Sequence, residues 1–180
     1  FGRLADLAGS RERPPEGRLY LLGRIQAEPE SMTARALTNP MSLSNSSNTA
    51  AWRRMELPSA NMHATAAALA TLYGKVACRE FLSAQALQRC QQEESAGDDP
   101  VLHTRTRFGP GFMLNQIGNV EGEFGPGAQA FGHPGSGGSL AFADPGNELG
   151  FAYVMNQMGP YGLVDPRPQA LVTAVYECLA

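Results

Sequence analysis

The segment FGHPGSGGSLAFADP, residues 131–145, places four glycines, one histidine and two serines directly ahead of an apolar run. Three readings compete: a phosphate cradle, the wall of a catalytic cleft, or a plain turn. Gly132, Gly137 and Ser139 match the outer frame of G-x-x-x-x-G-K-[ST], but Gly138 occupies the lysine position. That lysine carries the charge that reaches the terminal phosphates, and the loop must open a helix whose N-terminus faces them. Here a strand-like run follows. G-x-G-x-x-G fails as well, because Leu140 stands at its last glycine. The residues argue against a nucleotide site, and no cofactor is expected.

The strand reading extends outward in both directions. TRFGPGFML, GSLAFAD and LGFAYVMN have strand character, and the last two are joined by DPGNE, an antiparallel hairpin signal. DPRPQALVTAVYECLA reads as a closing helix with Pro168 in its first turn and Leu171, Val175 and Leu179 along one face. Upstream, Asn61 is a plausible N-cap for a helix that turns Leu69, Leu72, Tyr73 and Val76 inward. A second helix starts at Ser83, faces Ala86, Leu87 and Cys90 inward, and dissolves in the solvated loop QQEESAGDDP. Residues 1–60 are turn-rich and read as an irregular segment at a cleft rim, whereas 61–180 carry the domain.

About three antiparallel strands and three helices make an α+β fold, an antiparallel sheet with packed helices. Two of the strands are apolar at nearly every position, so both faces of the sheet need cover. A sheet of this kind keeps a long apolar edge that seeks a partner. The chain also begins without Met. The expectation is a single incomplete domain, completed by a missing N-terminal half or by a second chain.

A strand starting near His133 and flanked by glycines lets another molecule lie along its backbone. Main-chain N–H groups exposed in that way can hold a developing oxyanion, and a histidine beside them can orient a polar group of the substrate. The candidate site is therefore His133 and Ser136, with Ser136 acting through its N–H, and with Gly135, Gly137 and Asn61 touching substrate. The plain alternatives are a turn histidine that bonds locally, bend-forming glycines, and an Asn61 that only caps its helix.

In combination, HPGSGGSLAFADP, LGFAYVMN, the terminal helix and WRRMELPSANMHATAAALATLYGKVA (residues 52–77) resemble the C-terminal part of the serine β-lactamase and penicillin-binding-protein superfamily. The nearest branches are the class C β-lactamase-like proteins and related esterases. The resemblance implies that His133-Pro134-Gly135 is the third active-site box, on a strand lining the cleft, and that the Ser136 N–H is one half of an oxyanion hole. It also implies a serine acyl-enzyme. The chain departs from the pattern in lacking Ser-x-x-Lys. Its only lysine is Lys75, and Leu72 stands where the serine would be. The second box has no tyrosine version, and Ser46-Ser47-Asn48 and Ser59-Ala60-Asn61 match its serine version by composition only. By itself the chain is expected to be inactive. Pro134 lacks the hydroxyl common at the middle of the third box, and His133 is shorter and mostly neutral near pH 7. Both features tilt the expected substrate from β-lactams toward small uncharged esters or amides. The alternatives are a non-catalytic member kept for binding or assembly, and an acyltransferase on the same scaffold.

Composition narrows the remaining classes. With 17% charged residues and a net charge of −3, the chain has no basic patch for nucleic acid. No apolar run approaches the roughly 20 residues of a bilayer helix. The three cysteines are widely spaced and without Cys-x-x-Cys, which argues against a disulfide framework or a zinc site. They read as buried or incidental thiols in a reducing, cytoplasmic setting. His63 and His103 have no acidic or cysteine set at ligand spacing, so no metal site is expected.

Overall fold

Strand order in the sheet is the order of the chain. In the computed structural model, which describes residues 6–39 and 46–180, six strands form one antiparallel meander: β1 (Ser95–Asp98), β2 (Arg105–Gly109), β3 (Phe112–Leu114), β4 (Phe131–Pro134), β5 (Leu140–Asp144) and β6 (Leu149–Tyr153). Short connections favour this arrangement everywhere except between β3 and β4, which are joined by residues 115–130, because antiparallel neighbours need only a tight turn. Pro110-Gly111 splits the TRFGPGFML run into β2 and β3, with Gly111 at φ 79°. Between β5 and β6 the Asn147 N–H donates to Asp144 O, and the Asp144 carboxylate accepts from the Gly146 N–H and the Asn147 amide.

Side-chain alternation gives the sheet two covered faces. On one, Met113, Leu140, Phe142 and Phe151 join Phe124, Val164 and Val172 beneath the terminal helix α6 (Pro166–Leu179). The Phe142 ring lies 5.5 Å from Phe124 and 5.3 Å from Phe151. On the other face, Leu114, Phe131 and Ala143 pack against Val76 and Ala77 of α4 (Ala66–Ala77) and Leu87 of α5 (Ala84–Cys90). Gly150 lets α4 approach β6 to backbone contact, since a Cβ there would stand 2.1 Å from Gly74 N.

Several sequence expectations are corrected. The loop after α5 contains β1, which pairs with β2 from Ser95↔Phe108 to Asp98↔Arg105, so the described residues hold six strands where three or so were expected. Helix α4 is capped by Thr65, whose hydroxyl accepts from the Ala68 N–H, and not by Asn61. Leu72 is 39% exposed. On α6 the inward residues are Pro168, Val172, Val175 and Tyr176, while Leu171 and Leu179 are half exposed. The segment expected to be irregular carries three short helices: α1 (Leu21–Ala27), α2 (Met32–Leu37) and α3 (Ala50–Arg54). The Ser/Asn tract at 42–48 lies outside the described residues as far as position 45. Cys78 and Cys178 are exposed and Cys90 is half-buried.

Candidate active site

Strand β4 outruns its neighbour. Its rungs with β3 are Met113↔Gly132 and Leu114↔Phe131, whereas β5 stays paired with it through His133↔Ala141 and Pro134↔Leu140. From His133 onward one edge of β4 is therefore open. His133 follows Phe131 by two residues, so its ring projects on the α4/α5 side of the sheet, where it is exposed.

The turn that follows is closed by two backbone bonds. Gly138 N–H donates to Gly135 O at 3.0 Å, and Gly135 N–H donates to Ser139 O at 2.7 Å. Gly137, the third residue of the four-residue turn, has φ 85°, the signature of type II geometry. Ser136 takes the second position, where the N–H is not used inside the turn. That N–H has no partner among the described residues. Because the Gly135 N–H points to β5, the alternation of a strand turns the next N–H toward the edge that β3 leaves free.

The His133 ring is fixed by its own backbone. Nδ1 lies 2.6 Å from Pro134 O. A carbonyl only accepts, so the contact requires the proton on Nδ1 and leaves Nε2 uninvolved in it. Position 133 thus presents an exposed imidazole edge and no permanent cation.

The other sequence candidates are placed differently. Gly137 is buried with both backbone groups engaged: its N–H donates to Tyr161 O, and its carbonyl accepts from the Gly159 N–H and Arg167 Nη2. It shapes the turn, and it has no polar group left for substrate. Gly135 is half-buried. The Asn61 amide clasps its own loop, donating to Trp52 O and Met55 O and accepting from the Leu57 N–H. Asn48, the other serine-box candidate, pairs in both directions with the Leu7 backbone. His63 Nδ1 contacts Asn61 O, and His103 Nε2 contacts the Thr33 hydroxyl. Three cavities, of about 800, 590 and 340 Å³, are lined by other residues, and His133 and Ser136 are themselves exposed.

Sequence reasoning missed the support beneath the turn. Asp165, fully buried, caps α6 by accepting the Arg167 N–H, and it grips the Arg167 guanidinium through both oxygens. Hydrogen bonding to Asp165 is the main reason the Arg167 pKa is raised. DPRP carries a local signal for a helix start and none for this pairing.

The beta-lactamase family matches residues 11–174. The chain belongs to that family, a family of serine hydrolases. Among solved structures, a penicillin-binding protein homologue from Caulobacter crescentus is 44% identical with a TM-score of 0.64, over 70% of this chain and 35% of that one. A family VIII carboxylesterase is 37% identical with a TM-score of 0.67, over 73% of this chain and 36% of that one. This family member therefore spans about a third of the length of those structures. No curated protein matches the chain.

Proposed function

We propose that these residues form the oxyanion-binding wall of a serine hydrolase that cleaves small uncharged esters. The Ser136 N–H carries the reading: it is a main-chain donor without a partner among the described residues, on a turn closed by two backbone bonds, one residue past His133-Pro134-Gly135. A serine oxygen from outside these 180 residues would attack the ester carbonyl carbon, the C=O electron pair would collect on oxygen, and Ser136 would hydrogen-bond that oxygen. Collapse of the intermediate releases the alcohol, which takes up the proton lost by the serine, and water then frees the acid. A histidine at position 133, in place of a permanent cation, suits an uncharged substrate better than one that carries a carboxylate. The outer edge of β6 is unpaired among the described residues, and the remainder of the protein would cover it.

A proline at position 136 tests this directly. Type II turns accept proline at the second position, so Ser136→Pro removes the N–H and keeps the turn. In the full-length protein, kcat on a short-chain nitrophenyl ester should fall about 100- to 1,000-fold, the loss typical of one oxyanion donor. Ser136→Ala, which retains the N–H, should cost less than about tenfold. Equal losses in the two variants would refute the assignment, as would faster turnover of a cephalosporin reporter than of the ester. The absence of Ser-x-x-Lys from these residues favours a second reading, a non-catalytic member used for binding or assembly. Absence of fluorophosphonate labelling of the full-length protein would decide for it.

A further inference from the structure

We propose that Arg167 and Asp165 are positioning residues for the Ser136 N–H, and that Gly138 and Gly159 are glycines in order to seat this ion pair. The proposal rests on the oxyanion reading above and adds residues to it. Arg167 spends four donor contacts in one place. Nε and Nη2 hold Asp165 Oδ1 and Oδ2 at 2.9 and 2.7 Å, Nη2 also reaches Gly137 O at 2.8 Å, and Nη1 reaches Gln157 O at 3.0 Å. Gly137 follows Ser136 directly, and its carbonyl is the point at which α6 grips the turn.

Three consecutive peptide planes are fixed here, the last of them by Arg167. The plane before Ser136 is held through Gly135 O, which accepts from the Gly138 N–H at 3.0 Å. The plane between Ser136 and Gly137 is held by the Gly137 N–H on Tyr161 O at 3.0 Å. The plane after Gly137 is held by Arg167 and by the Gly159 N–H, which donates to Gly137 O at 2.7 Å. The Ser136 N–H lies in the first of these planes, so its direction is set by the bond from Gly138, and Arg167 and Asp165 act on it by holding Gly137 O and by packing against the Gly138 backbone. A donor aimed in advance pays no reorganisation when charge develops on the substrate.

Packing explains the two glycines. A Cβ on Gly138 would stand 2.6 Å from Arg167 Nη2 and 2.8 Å from Asp165 Oδ2, and one on Gly159 would stand 2.6 and 2.4 Å from the same atoms. The ion pair is sandwiched between two backbones, with no space for a side chain on either. Lysine could not replace the arginine, because a single ammonium cannot grip both carboxylate oxygens and still reach two carbonyls in a fixed plane.

The test uses Arg167→Lys and Asp165→Asn, alone and combined with Ser136→Pro, in the full-length protein. Arg167→Lys should lower kcat for the ester about 10- to 100-fold through misaimed geometry, with KM within about twofold of wild type. On the Ser136→Pro background the same change should cost less than about twofold, because the donor it aims is already gone. A purely structural role would multiply the two losses, and that result, or a wild-type kcat for Arg167→Lys, overturns the proposal. Amide hydrogen exchange supplies a readout independent of turnover. The Gly137 N–H should exchange at least about tenfold faster in Arg167→Lys and in Asp165→Asn, and unchanged protection overturns the proposal. Where the wild-type protein neither turns over ester nor labels with fluorophosphonate, the esterase reading fails alone and the exchange experiment still decides the clamp.

Discussion

Two glycines meet where helix α4 crosses strand β6, and replacing each by alanine should have opposite outcomes. A Cβ on Gly150 would lie 2.1 Å from Gly74 N, 2.5 Å from Gly74 Cα and 2.5 Å from Ala70 O. All three atoms are backbone, so no rotamer change relieves the clash, and the helix must retreat by roughly 1.3 Å to reach ordinary contact distance. A gap of that size forfeits a quarter to a half or more of the dispersion energy of each facing atom pair. The contacts at stake are those of Val76 and Ala77 with Leu114, Phe131 and Ala143. Overpacking typically costs about 1–3 kcal/mol, and rigid obstruction places Gly150→Ala at the upper end. Restricting the unfolded chain returns about 0.5–1 kcal/mol, which leaves a net loss of about 2 kcal/mol. For a chain of this size that lowers Tm by roughly 4–8 °C. At Gly74 a Cβ meets nothing within 4 Å, and alanine in a helix interior gains up to about 1 kcal/mol over glycine. Thermal unfolding followed by circular dichroism separates the two variants. A Gly150→Ala melt within 2 °C of wild type, or equal destabilisation by both changes, would refute the reasoning.

Tyr176→Phe should cost about 1–2 kcal/mol at pH 7, because Asp144, buried and accepting the Tyr176 hydroxyl at 2.5 Å, loses that donor. Burial first, and then the bond to Asp144, raise the Tyr176 pKa above the ordinary 10.0. The unfolded chain therefore releases the phenol proton first, and wild-type stability should fall above pH 10 by up to about 1.4 kcal/mol per pH unit. Urea midpoints should converge for wild type and Tyr176→Phe between pH 9 and 11.5, and a constant gap between them would contradict this account. His133→Lys puts a cation about 4 Å from a bound carboxylate, worth roughly 1–4 kcal/mol, so preference for carboxylate-bearing over neutral esters should rise at least about tenfold in competition kinetics. Asn61→Ala should loosen the clasp on residues 52–61 and speed proteolysis there, leaving KM within about twofold, and a tenfold rise in KM would restore Asn61 to the substrate site.

Strands β5 and β6 and helix α6 were legible because each is long, apolar and punctuated by strong turn residues. Strand β1 was not, since Ser-Ala-Gly-Asp offers no apolar alternation and owes its conformation to four rungs with β2 and to the Arg107–Glu93 ion pair. The cap of α4 was misplaced for a related reason. Asn61 and Thr65 both suit an N-cap, and what removes Asn61 is its bonding to Trp52 O and Met55 O, upstream contacts that no helical period registers. On α6 a strict spacing of four selected Leu171 and Leu179. The buried face runs through Pro168, Val172, Val175 and Tyr176, where Gly125 leaves room for the Tyr176 ring. The Arg167 contact with Gly137 spans thirty residues, beyond any local pattern.

The glycines that first suggested a substrate wall each have an internal reason to be glycine. A Cβ on Gly132 would lie 2.2 Å from Ala141 O across the β4–β5 rung, and one on Gly135 would lie 2.1 Å from Ser139 Oγ. Gly137 and Gly138 have positive φ and are roofed by Met158 and by the Asp165–Arg167 pair. Bare backbone therefore does not make this segment open to a visiting molecule. What distinguishes the segment is that β4 has no rung with β3 beyond Met113↔Gly132, where β3 begins after the Pro110-Gly111 turn, and that the Ser136 N–H has no partner among the described residues. The two roles separate cleanly: the glycines hold the turn rigid, and the shortness of β3 decides where it is exposed. Lengthening β3 at its Phe112 end to pair with His133 and Pro134 would cover this candidate site without touching a glycine of the 131–145 segment.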